Sequence, residues 1–173
     1  ILWEWSTPEL EFLADVDWIF TEKIDGTNIR VIWDGHKPEF RGRTDKAQLP
    51  PKLLSALTEM FPEELLEQTF GANPVVLYGE GYGAGIQKGG GNYRLDNSFI
   101  LFDVFIDGWW LKRENVEEIA TSLGIDVVPI AIEGDVSLRE AIDDMMKFTE
   151  LQSLISPSAI AEGIVGTPKI PMF

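Results

Sequence analysis
Apolar and polar positions along the chain predict most of its elements. Residues 17–24 and 28–33 are rich in Ile, Val, Phe and Trp, as strands are; Asp34-Gly35 then marks a tight turn, and Phe40-Arg41-Gly42-Arg43 pairs back as a hairpin arm. From Pro50 to Phe70 the residues Leu53, Leu54, Leu57, Met60 and Phe61 fall at helical spacing, with Pro62 opening a second short helix. Upstream, the apolar lead-in Ile1-Leu2-Trp3-Glu4-Trp5 runs into Ser6-Thr7-Pro8-Glu9, a helix cap with proline in the first turn. Val75 to Tyr78 predicts a short buried strand, followed by a glycine-rich run from Gly79 to Gly91 that leaves no room for a helix between its glycines. Phe99 to Ile106 predicts a strand that Asp107-Gly108 turns into Trp109-Trp110-Leu111. Asn115 to Leu123 predicts an amphipathic helix ended by Gly124, and Asp126 to Ile132 another strand. Ser137 and Glu140 have capping-box spacing, and Ala161 to Val165 reads as a last strand. Hairpins mixed with segregated helices, without regular βαβ alternation, predict an α+β domain on largely antiparallel sheet.

Composition narrows the chemistry. At 173 residues the chain has the length of roughly one domain, and no apolar run approaches the roughly 20 residues of a membrane span. With no cysteine and a single histidine, His36 beside a turn, thiolate chemistry, disulfide frameworks and His-rich metal sites fall away. What remains is lysine, arginine, carboxylates and a hard metal ion held through oxygen. The net charge of −15 is unevenly spread. Residues 21–52 carry seven of the fourteen basic side chains against five acids, a local balance of +2, while the rest carries −17. A positive stretch on an acidic body suits a small anion better than a broad duplex-binding face.

That stretch contains the most informative segment, Glu22-Lys23-Ile24-Asp25-Gly26-Thr27-Asn28. Strand alternation predicts that Lys23 and Asp25 point the same way; a lysine there is a candidate nucleophile, and Gly26 would allow close backbone approach to a ligand. A surface Lys–Asp pair before a turn glycine remains the plainer alternative.

Lys23-x-Asp25-Gly26-x-Asn28 resembles the nucleotidyl-attachment motif of the covalent nucleotidyltransferases, the polynucleotide ligases and mRNA capping enzymes. Four further segments resemble the family's motifs in order: Phe40-Arg41-Gly42-Arg43-Thr44, Leu77-Tyr78-Gly79-Glu80-Gly81, Phe99 to Val104, and Glu162-Gly163-Ile164-Val165. With Asn28 where DNA ligases and capping enzymes usually carry Arg, the set is most similar to phage-type RNA ligases of the RNA ligase 2 group. The resemblance implies a nucleotidyltransferase (ATP-grasp-like) α+β domain with Lys23 as the residue that takes up AMP. It implies nucleotide contacts from Glu22, Asp25, Gly26, Asn28, Arg43, Glu80 and a purine-stacking Phe102, with Glu162 serving a Mg²⁺ or Mn²⁺ ion. ATP is the implied AMP donor. The implied partner is RNA with 5′-phosphate and 3′-hydroxyl ends, bound by a monomer in a phage- or bacteria-like cytoplasm. Arg41, Lys88 and Arg94 are candidate phosphate contacts, the last two in a mobile glycine-rich loop beside Glu80.

The family's last motif, a lysine pair on a later strand, has no match: Lys169 lies too close to Glu162 and beside Pro168. The expectation is one adenylyltransferase domain over residues 1–173, cut before that motif, since neither Ile1 nor Ile170-Pro171-Met172-Phe173 looks like a natural end. A non-catalytic nucleotide- or RNA-binding module on the same scaffold is the alternative, with a DNA ligase or capping-type enzyme behind it. Trp109-Trp110 is expected to pack in the core or in its hairpin, with base stacking as the alternative, and Asp143 and Asp144 to lie on a solvated helix face.

Overall fold
The computed structural model describes residues 4–147 and 150–169; Ile1-Leu2-Trp3 of the lead-in and Ile170-Pro171-Met172-Phe173 lie outside the described residues. In chain order the elements are α1 (Pro8–Leu13), β1 (Asp17–Lys23), β2 (Thr27–Trp33), β3 (Pro38–Gly42), α2 (Pro51–Met60), α3 (Glu63–Phe70), β4 (Val75–Gly83), α4 (Gly90–Tyr93), β5 (Asn97–Ile106), β6 (Trp109–Trp110), α5 (Arg113–Leu123), β7 (Asp126–Val127), β8 (Ile130–Ser137), α6 (Leu138–Met145) and β9 (Gly163–Pro168). The α+β class with mainly antiparallel pairing is as expected; β7 on β5 is a parallel exception. Two compact units divide the chain: Ile1–Lys23 with Pro129–Phe173, and the continuous segment Ile24–Val128.

In the first unit β1 is the central strand of a three-stranded sheet, antiparallel to β8 on one side and β9 on the other. Its alternation buries Trp18, Phe20 and Glu22. Trp18 and Phe20 pack with Ala141 of α6 and with Leu13, Ile132, Val136, Leu138 and Ile164. Burying an aromatic side chain of this size contributes about 1.5–3 kcal/mol. Both helix starts follow the expected chemistry. The Thr7 side chain accepts from the Leu10 amide with Pro8 in the first turn, and Ser137 and Glu140 form the reciprocal capping box.

The second unit is a six-stranded sheet in the order β3-β2-β4-β5-β6, with β7 on β5. One face carries Ile29, Val31, Trp33, Leu77, Phe99 and Val104, and α2, α3 and α5 cover it with Leu53, Leu57, Leu66, Phe70, Val116 and Ala120. The sheet's edge hairpin turns at Asp34, whose Oδ1 accepts the amides of His36 (2.9 Å) and Lys37 (2.8 Å). These two bonds hold the Asp34 carboxyl below the usual range, and His36 is exposed.

Three expectations need correction. β4 does not stop at Tyr78 but continues through Gly83. Glycines disfavour strands, yet here they make room: a Cβ at Gly79 would overlap the Phe99 ring, and one at Gly81 would lie 2.6 Å from Leu53 Cδ2. The expected loop is therefore half strand, and Gly90–Tyr93 forms a short helix where none was expected. The strand read over Asp126 to Ile132 is two strands. Its first part joins β5 and its second joins β1, separated at Val128-Pro129, where proline has no amide for a ladder. Among the described residues no helix is long and apolar enough to cross a membrane.

Candidate active site
Lys23 is the last residue of β1, and the ladder pairs it with Gly163 at the start of β9. The Glu162 amide donates to the Lys23 carbonyl at 3.1 Å, and the Lys23 Nζ forms an ion pair with the Glu162 carboxylate. Two groups 139 positions apart thus meet through strand register, each side chain a little under half exposed. Because β1 ends at Lys23, the alternation that would have put Asp25 on its face does not continue.

Glu22 points to the opposite side of β1 and is 2% exposed. Its Oε2 accepts the Leu154 amide at 2.7 Å, and its buried Oε1 has no partner among the described residues. The segment it grips is compact. Gln152 Nε2 donates to the carbonyls of Pro157 (2.7 Å) and Ala159 (2.6 Å), and the Ala161 amide returns to the Leu151 carbonyl (2.8 Å), one residue before Glu162. The side chain of Glu22 therefore anchors the segment that delivers Glu162.

In the second unit, Asn28 and Glu80 are direct partners across β2 and β4, which places their side chains on one face. That face is opposite the hydrophobic core, since Ile29 and Gly79, the next pair along, face inward. Phe102 falls where the β4–β5 register shifts: Tyr78 pairs with Asp103 and Gly79 with Leu101, leaving Phe102 over. Such a bulge re-aims a side chain, and this one leaves Phe102 half-buried. Gly26 is needed, but the close approach it allows is to β4: a Cβ there would meet the Gly81 carbonyl oxygen and lie 2.8 Å from Glu80 Cγ.

The basic residues divide. Arg43 is exposed just after β3, and Lys88 is exposed in the loop before α4. Arg41 is engaged by Glu39 (2.7 Å) and Asp45 (3.4 Å). Arg94 is held by both oxygens of Asp96 (2.7 and 2.9 Å), with its guanidinium 5.7 Å from the Tyr82 ring centre. These bonds raise the pKa of Arg94 and lower that of Asp96. Arg30, not singled out in the sequence, bonds the Gly42 carbonyl (3.1 and 3.0 Å) and Asp45 (2.8 Å) and so fastens the turn that carries Arg43. Its sequence signals are its place in the positive stretch and two residues from Asn28, on the same face of β2.

The Glu162 carboxylate offers the oxygen donor that a hard divalent ion takes and could hold one. Among the described residues no group of three or more Asp, Glu or His side chains forms an all-protein cage. The RNA ligase family model matches residues 16–172, which include Lys23, Glu80 and Glu162.

The chain belongs to the RNA ligase family. Its fold is similar to that of Naegleria gruberi RNA ligase: a variant with ATP and manganese superposes with a TM-score of 0.74 at 21% identity, over 93% of this chain and 48% of that one. A second variant with AMP and manganese gives 0.73 at 20% identity, covering 93% and 49%. The same ligase with pyrophosphate gives 0.72 at 21%, also covering 93% and 49%. No curated protein sequence matches the chain. This RNA ligase family member spans about half the length of the solved structures it resembles.

Proposed function
We propose that the chain is the adenylyltransferase part of an ATP-dependent RNA ligase, of the phage-type RNA ligase 2 group that its motifs resemble. The observation that carries this reading is the pairing of Lys23, in the Lys-x-Asp-Gly segment, with Glu162 across the β1–β9 ladder. In the first step Lys23 Nζ, having given up a proton to water, attacks the α-phosphorus of ATP. The Nζ–P bond forms as the bond to pyrophosphate breaks. The lysyl-AMP then passes AMP to an RNA 5′-phosphate, and a 3′-hydroxyl displaces AMP to seal the strand. A Mg²⁺ or Mn²⁺ ion held by Glu162 would neutralise phosphate charge. Asn28, Glu80 and Phe102 bind nucleoside, with Phe102 offering a stacking face, and Arg43 and Lys88 are the exposed cations for phosphate. The Naegleria gruberi ligase of similar fold holds ATP, AMP and pyrophosphate, the substrate and product of such a step and its AMP group.

Incubation with α-phosphate-labelled ATP and Mg²⁺ should leave label on the protein, and Lys23→Ala should abolish it, a loss of at least about a thousandfold for removal of a nucleophile. Reversible ATP binding without an adduct would replace this reading with that of a binding module. Adduct formation from GTP alone would point to a capping-type enzyme.

A further inference from the structure
We propose that Gln87 and Tyr93 are positioning residues that brace the Asp25–Gly26 turn, and through it the presentation of Lys23; the catalytic half of this proposal rests on Lys23 being the adenylated residue. The turn lies at the start of the second unit, and three contacts within that unit pin it. Gln87 Nε2 donates to the Gly26 carbonyl at 2.8 Å. The Asp25 amide donates to the Tyr93 hydroxyl at 3.5 Å. Gly26 itself lies so close to Gly81 that no side chain fits.

The excursion between β4 and β5 is built to present these two groups. Its stem is closed by the Ala84 amide on the Arg94 carbonyl (3.0 Å) and by Asn97 Nδ2 on the Ala84 carbonyl (2.9 Å). Tyr93 meets Tyr82 edge-on, ring centres 6.1 Å apart and planes at 90°, and Arg94 covers Tyr82 from its bond with Asp96. The glycine-rich run thus contributes to the site as a mount for Gln87 and Tyr93. Gln87 is exposed, so its bond to Gly26 adds little to global stability, whereas a turn two residues from the attacking amine governs its alignment.

Gln87→Glu keeps the shape but cannot donate to the Gly26 carbonyl and repels it; Tyr93→Phe keeps the ring and removes the acceptor. In Gln87→Glu, amide exchange over residues 24–28 should quicken, and the adenylation rate at saturating ATP should fall about tenfold, with ATP affinity changed less than about twofold and the melting temperature unmoved. Tyr93→Phe should follow with a smaller loss, its bond being longer. Unchanged exchange over 24–28 in Gln87→Glu overturns the brace, and faster exchange with wild-type adenylation overturns the positioning role. A fall in rate, affinity and melting temperature together also overturns it. Absence of any adduct on the wild-type chain would sink the ligase reading instead, and the exchange measurement would still decide the brace.

Discussion
Lys23 and Glu162 stand on a three-stranded sheet backed by Trp18, Phe20 and Ala141, whereas Asn28, Glu80 and Phe102 stand on a six-stranded sheet with three helices packed beneath it. In the first unit Lys23 and Glu162 are aligned by backbone register and by one buried carboxylate, Glu22, holding the segment before Glu162. In the second, Asn28, Glu80 and Phe102 are aligned by a tightly packed layer in which even the strand glycines of β4 are filled against Phe99 and Leu53. The proposed nucleophile sits on the thinner support, and the proposed nucleoside contacts sit on the stiffer one.

The sharpest way to break that comparison is through the two cores. Leu77→Ala, at a fully buried site, should cost the second unit about 2–5 kcal/mol, and Ile164→Val, at a half-buried one, should cost the first only about 0.5–1.5 kcal/mol. Hydrogen exchange read separately in each unit checks this; equal costs would erase the contrast. Next in size is Glu22. Glu22→Ala removes the buried acceptor of the Leu154 amide, should cost about 1–3 kcal/mol and should loosen residues 151–161, while Glu22→Gln retains an oxygen acceptor and should lose less. Denaturant titration with exchange at Leu154 distinguishes the two variants. The smallest effect belongs to the exposed Arg94–Asp96 pair. Arg94 lowers the Asp96 carboxyl below its ordinary value, so the pair's stabilisation is present above the unfolded carboxylate range and is lost as pH falls through the lowered native value. Asp96→Asn should remove that pair's share of the acid sensitivity and of the salt dependence of the melting temperature.

Legibility in the sequence followed the range of the forces involved. β2, α2 and α5 were readable because their apolar residues repeat with the period of their own element, and Thr7 and Ser137 because caps act within one turn. β4 was cut short because glycine disfavours strands locally, and only the Phe99 ring across the ladder explains why glycine is required. The divided strand at Pro129 needed knowledge of which sheet each half joins. In the site, Lys23, Asn28, Glu80 and Glu162 stood out as motif residues. Arg94 reads as an available cation because its pairing with Asp96 forms only in the fold, and Gln87 and Tyr93 carry no signal until the loop is folded.

The chain leaves β1 after Lys23 and rejoins the same sheet only at Ile130, more than a hundred residues later. During synthesis the segment Ile24–Val128 is complete while both neighbours of β1 are still to be made. β1 then waits with both edges open, and the Lys23–Glu162 pair cannot form until residue 162 has emerged. The prospective nucleotide carrier is therefore among the last features of the fold to be assembled, after the groups proposed to recognise the base are already in place.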